Sequence, residues 1–509
     1  MKKLTSQKKI FFLALLLIFL LGLILRILPT IDNNFYFTMD QGNEAVIVRE
    51  ILERHKIPLL GQKTSLNGVY HGPFWIYFIS FGYTLFGGHP FGALLLLIIL
   101  NLFTVSFLMW FVYQDVSLPA SILLGLGLAF FWPFYDTSRY AFAPFPLAAF
   151  AIFTIVLLIK SLEGKRIYYI AAAIPVGLTI HTEIASFVPF ILFYLILGVW
   201  AIIKRKFSLT ILLLGLFTIL LFFLPHIISE LSNNFSQTNT ILREFSNPSG
   251  VFSQAKNVST LQQFNEVVTT KTSHSIDYGG IFMFILVSFL MLMFRPKNLF
   301  VKNFALATII FIILSWIWFS SSSGWSQWHT VYISPILYIT LILMLTQISR
   351  NLSIILMIVV IVSQLLFFKQ SYFQNLRASG DPSLLVNELA AVDWVYQKAN
   401  GLGFYVYSYL PSVYDYPYQY LFWWYGRDKY GYLPCEYSTY PRTPDLFVPG
   451  LKYYQEPKRD CSNLRFLIIE PDKNQEIQNI WLTGVQKDTT LLQQDKIGDI
   501  RVEKRLINK

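Results

Sequence analysis

The chain has 509 residues, of which 54% are hydrophobic and only 14% charged, with a formal net charge of +11. Soluble domains carry about 25% charged residues, so a soluble enzyme is excluded and a polytopic α-helical membrane protein is expected. The cations cluster in short loops between apolar runs, which makes them a topology signal rather than a nucleic-acid-binding surface.

The first apolar run, 10–29, is long enough to span a bilayer and lacks a small-residue cleavage site, so it is expected to remain as an anchor. Further runs follow at 92–113, 118–134, 143–160, 167–181, 184–203, 208–228, 279–294, 303–320, 329–347 and 351–368. They bring the expected transmembrane helices to about eleven. The stretch 73–87 is short, aromatic and interrupted by Gly82. If it spans, the cations of every later loop fall outside. If it lies on the surface, Lys160, Lys165 and Arg166, then Lys204, Arg205 and Lys206, then Arg295, Lys297 and Lys302, then Arg350 join Lys2, Lys3, Lys8 and Lys9 in the cytoplasm. The positive-inside rule selects the second arrangement and makes 73–87 an interfacial helix. Residues 30–91 then form a long first outer loop. The segments 135–142, 181–183, 229–277 and 320–328, and everything after about residue 369, also face outward.

Beyond residue 369 the composition changes. Residues 382–400 show amphipathic spacing through Leu384, Leu385, Leu389, Val392 and Val395, with Pro382 suited to a first helical position and Gly401 and Gly403 ending the run. Residues 404–410, 464–469 and 497–506 read as strands. The chain therefore divides into a transmembrane domain, 1–369, and a small extracytoplasmic α/β domain, 370–509. Cys435 and Cys461 both lie in the second domain. Their compartment permits a disulfide, but spacing leaves a bridge and two unpaired thiols equally open. The cysteines are too few for a zinc framework.

Asp40-Gln41-Gly42-Asn43-Glu44 follows the anchor by about ten residues. Carboxylates at a membrane surface are costly to desolvate and ask for a reason. The outer segments hold carboxylates, a few histidines, arginines and many aromatics, with no Ser-His-Asp arrangement, P-loop or GxGxxG. This inventory suits sugar transfer from a lipid phosphate. The leaving group is already an anion, so one carboxylate suffices to take the proton of the acceptor hydroxyl while its oxygen attacks the anomeric carbon with inversion. Glycoside hydrolases need a second, protonated carboxyl because their leaving group is an alcohol. Cations or a divalent metal ion would instead hold the departing phosphate.

The block Asp40-Gln41-Gly42-Asn43-Glu44-Ala45, with Ile51-Leu52-Glu53, Ile57-Pro58-Leu59-Leu60-Gly61, Thr64-Ser65, Tyr70-His71-Gly72-Pro73-Phe74 and Leu85-Phe86-Gly87, resembles the first outer loop of GT-C superfamily glycosyltransferases. The likeness is to the branch related to protein O-mannosyltransferases and the lipid A aminoarabinose transferase. Ser138-Arg139-Tyr140-Ala141, followed by Pro144, Pro146 and Leu147, resembles that family's second outer-loop motif. Gln419-Tyr420-Leu421-Phe422-Trp423-Trp424-Tyr425-Gly426 is similar to a stretch of the C-terminal domain of the same branch. The resemblance implies a GT-C fold, a polyprenyl-phosphate sugar donor, transfer on the outer face to a lipid, glycan or protein acceptor, inversion, and Asp40 as base. One departure is Pro144, which stands about where many relatives carry an acid; Asp136 is the nearest carboxylate.

Each candidate has a competing structural role. Asp40 is either the base or an N-cap, with Glu44 a second acid near it or a first-turn residue that favours the helix dipole. Arg139 is a donor-phosphate ligand or a snorkelling interfacial arginine. His329 is a donor-site residue or a structural hydrogen bonder. His71, His181 and Glu183 are metal ligands or hydrogen-bonded structural groups. Arg54, His55 and Lys56 are expected to meet lipid headgroups. Trp423, Trp424 and Tyr414, Tyr416, Tyr418 and Tyr420 are either a sugar platform or the domain's own core. The rival function is a transporter or flippase of a lipid-linked saccharide, which should show inverted repeats and broken helices at mid-membrane. Neither is visible, and ionisable residues gather at the outer span ends.

Overall fold

The computed structural model describes residues 2–246, 264, 267, 268, 279–320, 326–443, 454 and 460–508. Much of the expected outer loop 229–277, and part of 320–328, lie outside the described residues. The chain forms two compact units. The first contains Met1–Arg26, Leu59–Trp75 and Leu97–Phe373, and the second Ile27–Pro58, Ile76–Leu96 and Gln374–Lys509. The first outer loop is thus shared out between them.

All of the expected apolar runs are helical. Seven segments are long and apolar enough to cross a membrane: Ser6–Asn33, Phe91–Asp115, Ile184–Ile203, Leu209–Ser232, Leu299–Ser320, Gln327–Leu345 and Arg350–Asn375. Phe74–Leu85, Leu118–Phe130, Leu147–Leu162, Ile167–His181 and Met283–Met293 are apolar but shorter. Prolines shorten several of them. The helix expected to start at residue 143 begins at Leu147 because Pro144 and Pro146 precede it. The helix from Leu118 ends at Phe130, and Trp132–Asp136 restarts with Pro133 in its first turn. The 12-residue helix Phe74–Leu85 reaches about 18 Å, short of a hydrocarbon core of about 30 Å. Ile167–His181 is hardly longer, so helix length does not separate the expected surface helix from an expected span.

Within the first unit, Ile333–Leu345 is buried along its whole length and forms the centre of the bundle. Leu209–Ser232 and Arg350–Asn375 bury only 22% of their apolar windows and leave the rest for lipid. Tyr169 and Tyr194 lock two spans together. Their rings stack at 4.3 Å, and each hydroxyl donates to the other's carbonyl oxygen at 3.1 and 3.2 Å.

The second unit is built on a five-stranded sheet in the order β2-β1-β3-β5-β4. The strands are β1 (Gly403–Tyr409), β2 (Glu436–Ser438), β3 (Cys461–Ile469), β4 (Thr489–Ile497) and β5 (Ile500–Ile507). β1 pairs in parallel with β2 and β3, whereas β5 is antiparallel to β3 and β4. The expected helix is present as Leu385–Ala399. Two strands and the helix Gln475–Gln486 were not expected. β4 is an edge strand with exposed Leu491 and Leu492 and no apolar alternation, and β2 has three residues. The expected strand 497–506 is present from residue 500 onward as β5; its first residues are instead the end of β4 and a hairpin turn, with Ile497 paired to Ile500 across Gly498 at φ +56°. Cys435 and Cys461 are joined in a disulfide, with Cα atoms 6.1 Å apart. It ties the leading ends of β2 and β3, the two neighbours of β1.

The helix Met39–Arg54 belongs to this unit and packs on Tyr416–Leu421. A β-carbon at Gly42 would stand 2.3 Å from the Pro417 nitrogen, so only glycine admits this approach. The aromatic motif 418–424 is core. Tyr418, Tyr420, Trp423 and Trp424 are buried, the Tyr420 hydroxyl donates to Gly88 O at 2.7 Å, and Trp424 Nε1 donates to Gly87 O at 2.8 Å. A sugar platform formed by these four rings is therefore ruled out, and the core reading holds.

Candidate functional site

The carboxylate pair lies on the helix Met39–Arg54 of the second unit. Its N-cap is Thr38, whose backbone N–H donates to Gln41 Oε1 at 2.9 Å. The N-cap alternative for Asp40 is thereby corrected: a Thr-x-x-Gln capping box starts the helix two residues earlier. Asp40 sits instead inside the first turn, half-buried, where the helix dipole favours its negative charge. Glu44 follows one turn later on the same face and is 1% exposed. Deeper along the helix, Arg49 is fully buried, with its guanidinium 3.9 Å from the centre of the Tyr454 ring and 3.4 Å from Gln419 O. Arg54 and Lys56 pair with Glu50 at 3.0 and 3.3 Å, and Arg427 pairs with Glu53. The basic triplet expected to meet headgroups is thus partly engaged by one carboxylate of the same helix, Glu50.

The other half of the first-loop motif belongs to the first unit. There Tyr70-His71-Gly72-Pro73 lies over the corner between Ile167–His181 and Ile184–Ile203. Gly72 N–H donates to Ile180 O at 3.0 Å, and Ile184 N–H donates to His71 Nδ1 at 3.3 Å. Glu183 caps the helix Ile184–Ile203, accepting from Ala185 N–H at 3.3 Å. Glu183 Oε1 is 3.7 Å from His329 Nε2, and Ser186 Oγ donates to His329 O at 2.8 Å. His329 Nδ1 accepts from Ser326 N–H at 3.1 Å, which leaves the ring proton on Nε2, facing Glu183. His71, His181, Glu183 and His329 thus come together at one corner.

This corner favours neutral groups. Burial drives the His71 imidazole down to about 3, helped by His329 and His226. Burial lifts the Glu183 carboxyl to about 8, against the Ala185 N–H bond. Near neutrality the protonated form of Glu183 is therefore favoured. A divalent ion does not fit the observed placement. Among the described residues no three His, Cys, Asp or Glu side chains are grouped to hold a metal. Glu183 and His71 are also committed to backbone N–H groups, so no chemistry is derived through a metal.

Arg139 sits 3.5 Å from Asp136 Oδ1, with its guanidinium 5.8 Å from the Trp132 ring. Its segment adjoins the His329 turn through Phe142 and Trp328, whose rings are 6.3 Å apart.

Two groups beside these candidates were missed. Arg26, near the C-terminal end of the first span, is 2% exposed. Its Nε donates to Ser138 Oγ at 2.8 Å and its Nη2 to Asn101 Oδ1 at 2.9 Å, which fixes the residue next to Arg139. A lone arginine in an apolar span was the available signal. His226, within Leu209–Ser232, places Nε2 3.2 Å from Tyr70 O, with its ring 6.2 Å from that of His181.

No family model and no curated protein matches the chain. Among solved structures it is similar to ArnT from Cupriavidus metallidurans bound to undecaprenyl phosphate, with a TM-score of 0.61, 15% identity and 98% of each chain covered. It is similar also to ArnT of the same organism in the apo state, with a TM-score of 0.59 and 14% identity over 99% of this chain and 98% of that one. The Archaeoglobus fulgidus oligosaccharyltransferase in complex with zinc and sulfate aligns with a TM-score of 0.46 and 12% identity, over 94% of this chain and 71% of that one. The chain thus shares the fold of the two ArnT structures, an apolar helical bundle with a small C-terminal sheet domain.

Proposed function

We propose that this protein is an inverting glycosyltransferase that moves a sugar from a polyprenyl-phosphate donor to an acceptor hydroxyl on the outer face of the membrane. Asp40 takes the hydroxyl proton as the acceptor oxygen bonds to the anomeric carbon. The bond from that carbon to the phosphate oxygen breaks, and polyprenyl phosphate departs with the electron pair. Arg139 and the Nε2–H of His329 serve the departing phosphate as hydrogen-bond donors. Glu44 is the second acid beside the base. The observation that carries this reading is the placement of Asp40: on an ArnT fold, its carboxylate lies at a helix start already capped by Thr38.

The test is Asp40→Asn in proteoliposomes supplied with polyprenyl-phosphate sugars. Turnover should fall by roughly 10²–10⁴-fold while donor retention stays at the parent level. Turnover at the parent rate would remove Asp40 from the chemistry. Orientation is read by cysteine labelling of whole cells. A cysteine at Gly61 should react with an impermeant maleimide and one at Lys165 should not; the reverse pattern inverts the topology. Comparing glycoconjugates from cells with and without the gene by mass spectrometry names the sugar and the acceptor.

A further inference from the structure

At the cation-rich ends of the spans in the first unit lies a cavity of about 870 Å³. Its polar lining includes Gln7, Gln114, Lys297 and Arg350, and no carboxylate is among the lining residues. Three helices begin at its wall: Leu118–Phe130, capped by Ser117; Leu299–Ser320, capped by Asn298; and Arg350–Asn375. Their N-termini add partial positive charge to the two fixed cations. The wall is built rather than incidental. Asn298 Oδ1 accepts from Val301 N–H at 3.1 Å, its Nδ2 donates to Asp115 O at 2.7 Å, and its backbone N–H donates to Gln347 Oε1 at 3.2 Å. One residue thus joins three loop segments. The carboxylate of Asp115 is held 2.6 Å from Lys160, so it does not cancel the charge at the cavity.

Part of the wall is apolar. Ile354 and Met357 line the cavity from the helix Arg350–Asn375. The same helix turns Ile355 and Val359, 56% and 57% exposed, away from the protein. A cationic chamber beside a lipid-facing helix suits a ligand with a phosphate at one end and hydrocarbon at the other. We propose that this cavity binds the phosphate headgroup of an anionic phospholipid, with its acyl chains lying along the helix Arg350–Asn375. Lys297 and Arg350 pair with the phosphate, and the Gln7 and Gln114 amides donate to the headgroup oxygens. The site is independent of the transferase reading, because none of its residues takes part in the proposed transfer.

The experiment uses the full chain in detergent, equilibrated with phosphatidylglycerol or phosphatidylcholine and examined by native mass spectrometry. The parent should retain phosphatidylglycerol preferentially. The double variant Lys297→Gln, Arg350→Gln should lose that preference by roughly tenfold or more. Both side chains are exposed, and an unchanged melting temperature verifies that the variant is folded. Lys206→Gln, a cation outside the cavity, should leave retention unaltered. Equal retention by parent and double variant would overturn the proposal. So would displacement of the lipid by inorganic phosphate alone, which would make the ligand a soluble anion.

Discussion

Gly72 lies so close to His181 that a β-carbon on it would stand 1.8 Å from the imidazole Nδ1. The first-loop motif can therefore seat itself on the corner that carries His181 and Glu183 only while residue 72 is glycine. Gly72→Ala must push out either the ring or the loop, at about 1–3 kcal/mol of overpacking. The expected result is a lower melting temperature together with a transfer rate at least tenfold below the parent. Gly68→Ala, in the same loop, meets only the Thr240 hydroxyl at 3.6 Å and provides the comparison for strain at a positive φ.

Arg26 bridges Ser138 and Asn101 from inside the first span. Its fork reaches two acceptors at once, which a lysine ammonium on a flexible stem does not reproduce. Arg26→Lys should leave one buried partner unsatisfied, at about 1–3 kcal/mol. Thermal unfolding in detergent should show the loss. Because Ser138 precedes Arg139, the apparent KM for the lipid donor should rise more than kcat falls. A kcat effect with KM unmoved would separate Arg26 from donor binding.

The disulfide closes a 26-residue separation between Cys435 and Cys461. Loop-closure entropy at this length is about 3–4 kcal/mol. The double variant Cys435→Ser, Cys461→Ser should lower the melting temperature of the C-terminal unit and speed proteolysis near β2. Treating the parent with a reductant should have the same effect, and treating the variant with it should have none.

Two buried carboxyls make the second unit sensitive to alkali. Burial lifts Glu470 to about 8, against the hydrogen bond from the Tyr418 hydroxyl. Burial also raises Glu388 well above its ordinary value, with Glu470 and Asp381 adding to the shift. Both folded-state values exceed the unfolded one, so the folded state holds the extra protons. The stabilisation is complete below about pH 4.5 and is lost as the pH rises through about 8. The melting temperature of the full chain should therefore fall between pH 6 and 9. Glu470→Gln should flatten that dependence, and a variant as alkali-sensitive as the parent would assign it to other groups.

Much of this protein was legible along the chain because it rests on local chemistry. Apolar runs become helices wherever lipid or protein must satisfy the backbone internally. Thr38 and Gln41 start a helix by contacts within one turn. The helix Leu385–Ala399 and the inner strands β1 and β3 were visible because burial on one or both faces dictates their side chains. β4 was not, since an edge strand buries little and so carries no alternation.

Other features exist only once distant segments meet. The Arg26–Ser138 bond joins residues 112 apart in the chain. The burial that neutralises His71 and Glu183 comes from elements separated by more than a hundred residues, and the grouping of Met39–Arg54 with the C-terminal sheet depends on Gly42 meeting Pro417. A sequence lists which side chains are available and which local geometry each favours. Desolvation and close approach depend on what packs around a group, and only the tertiary structure decides that.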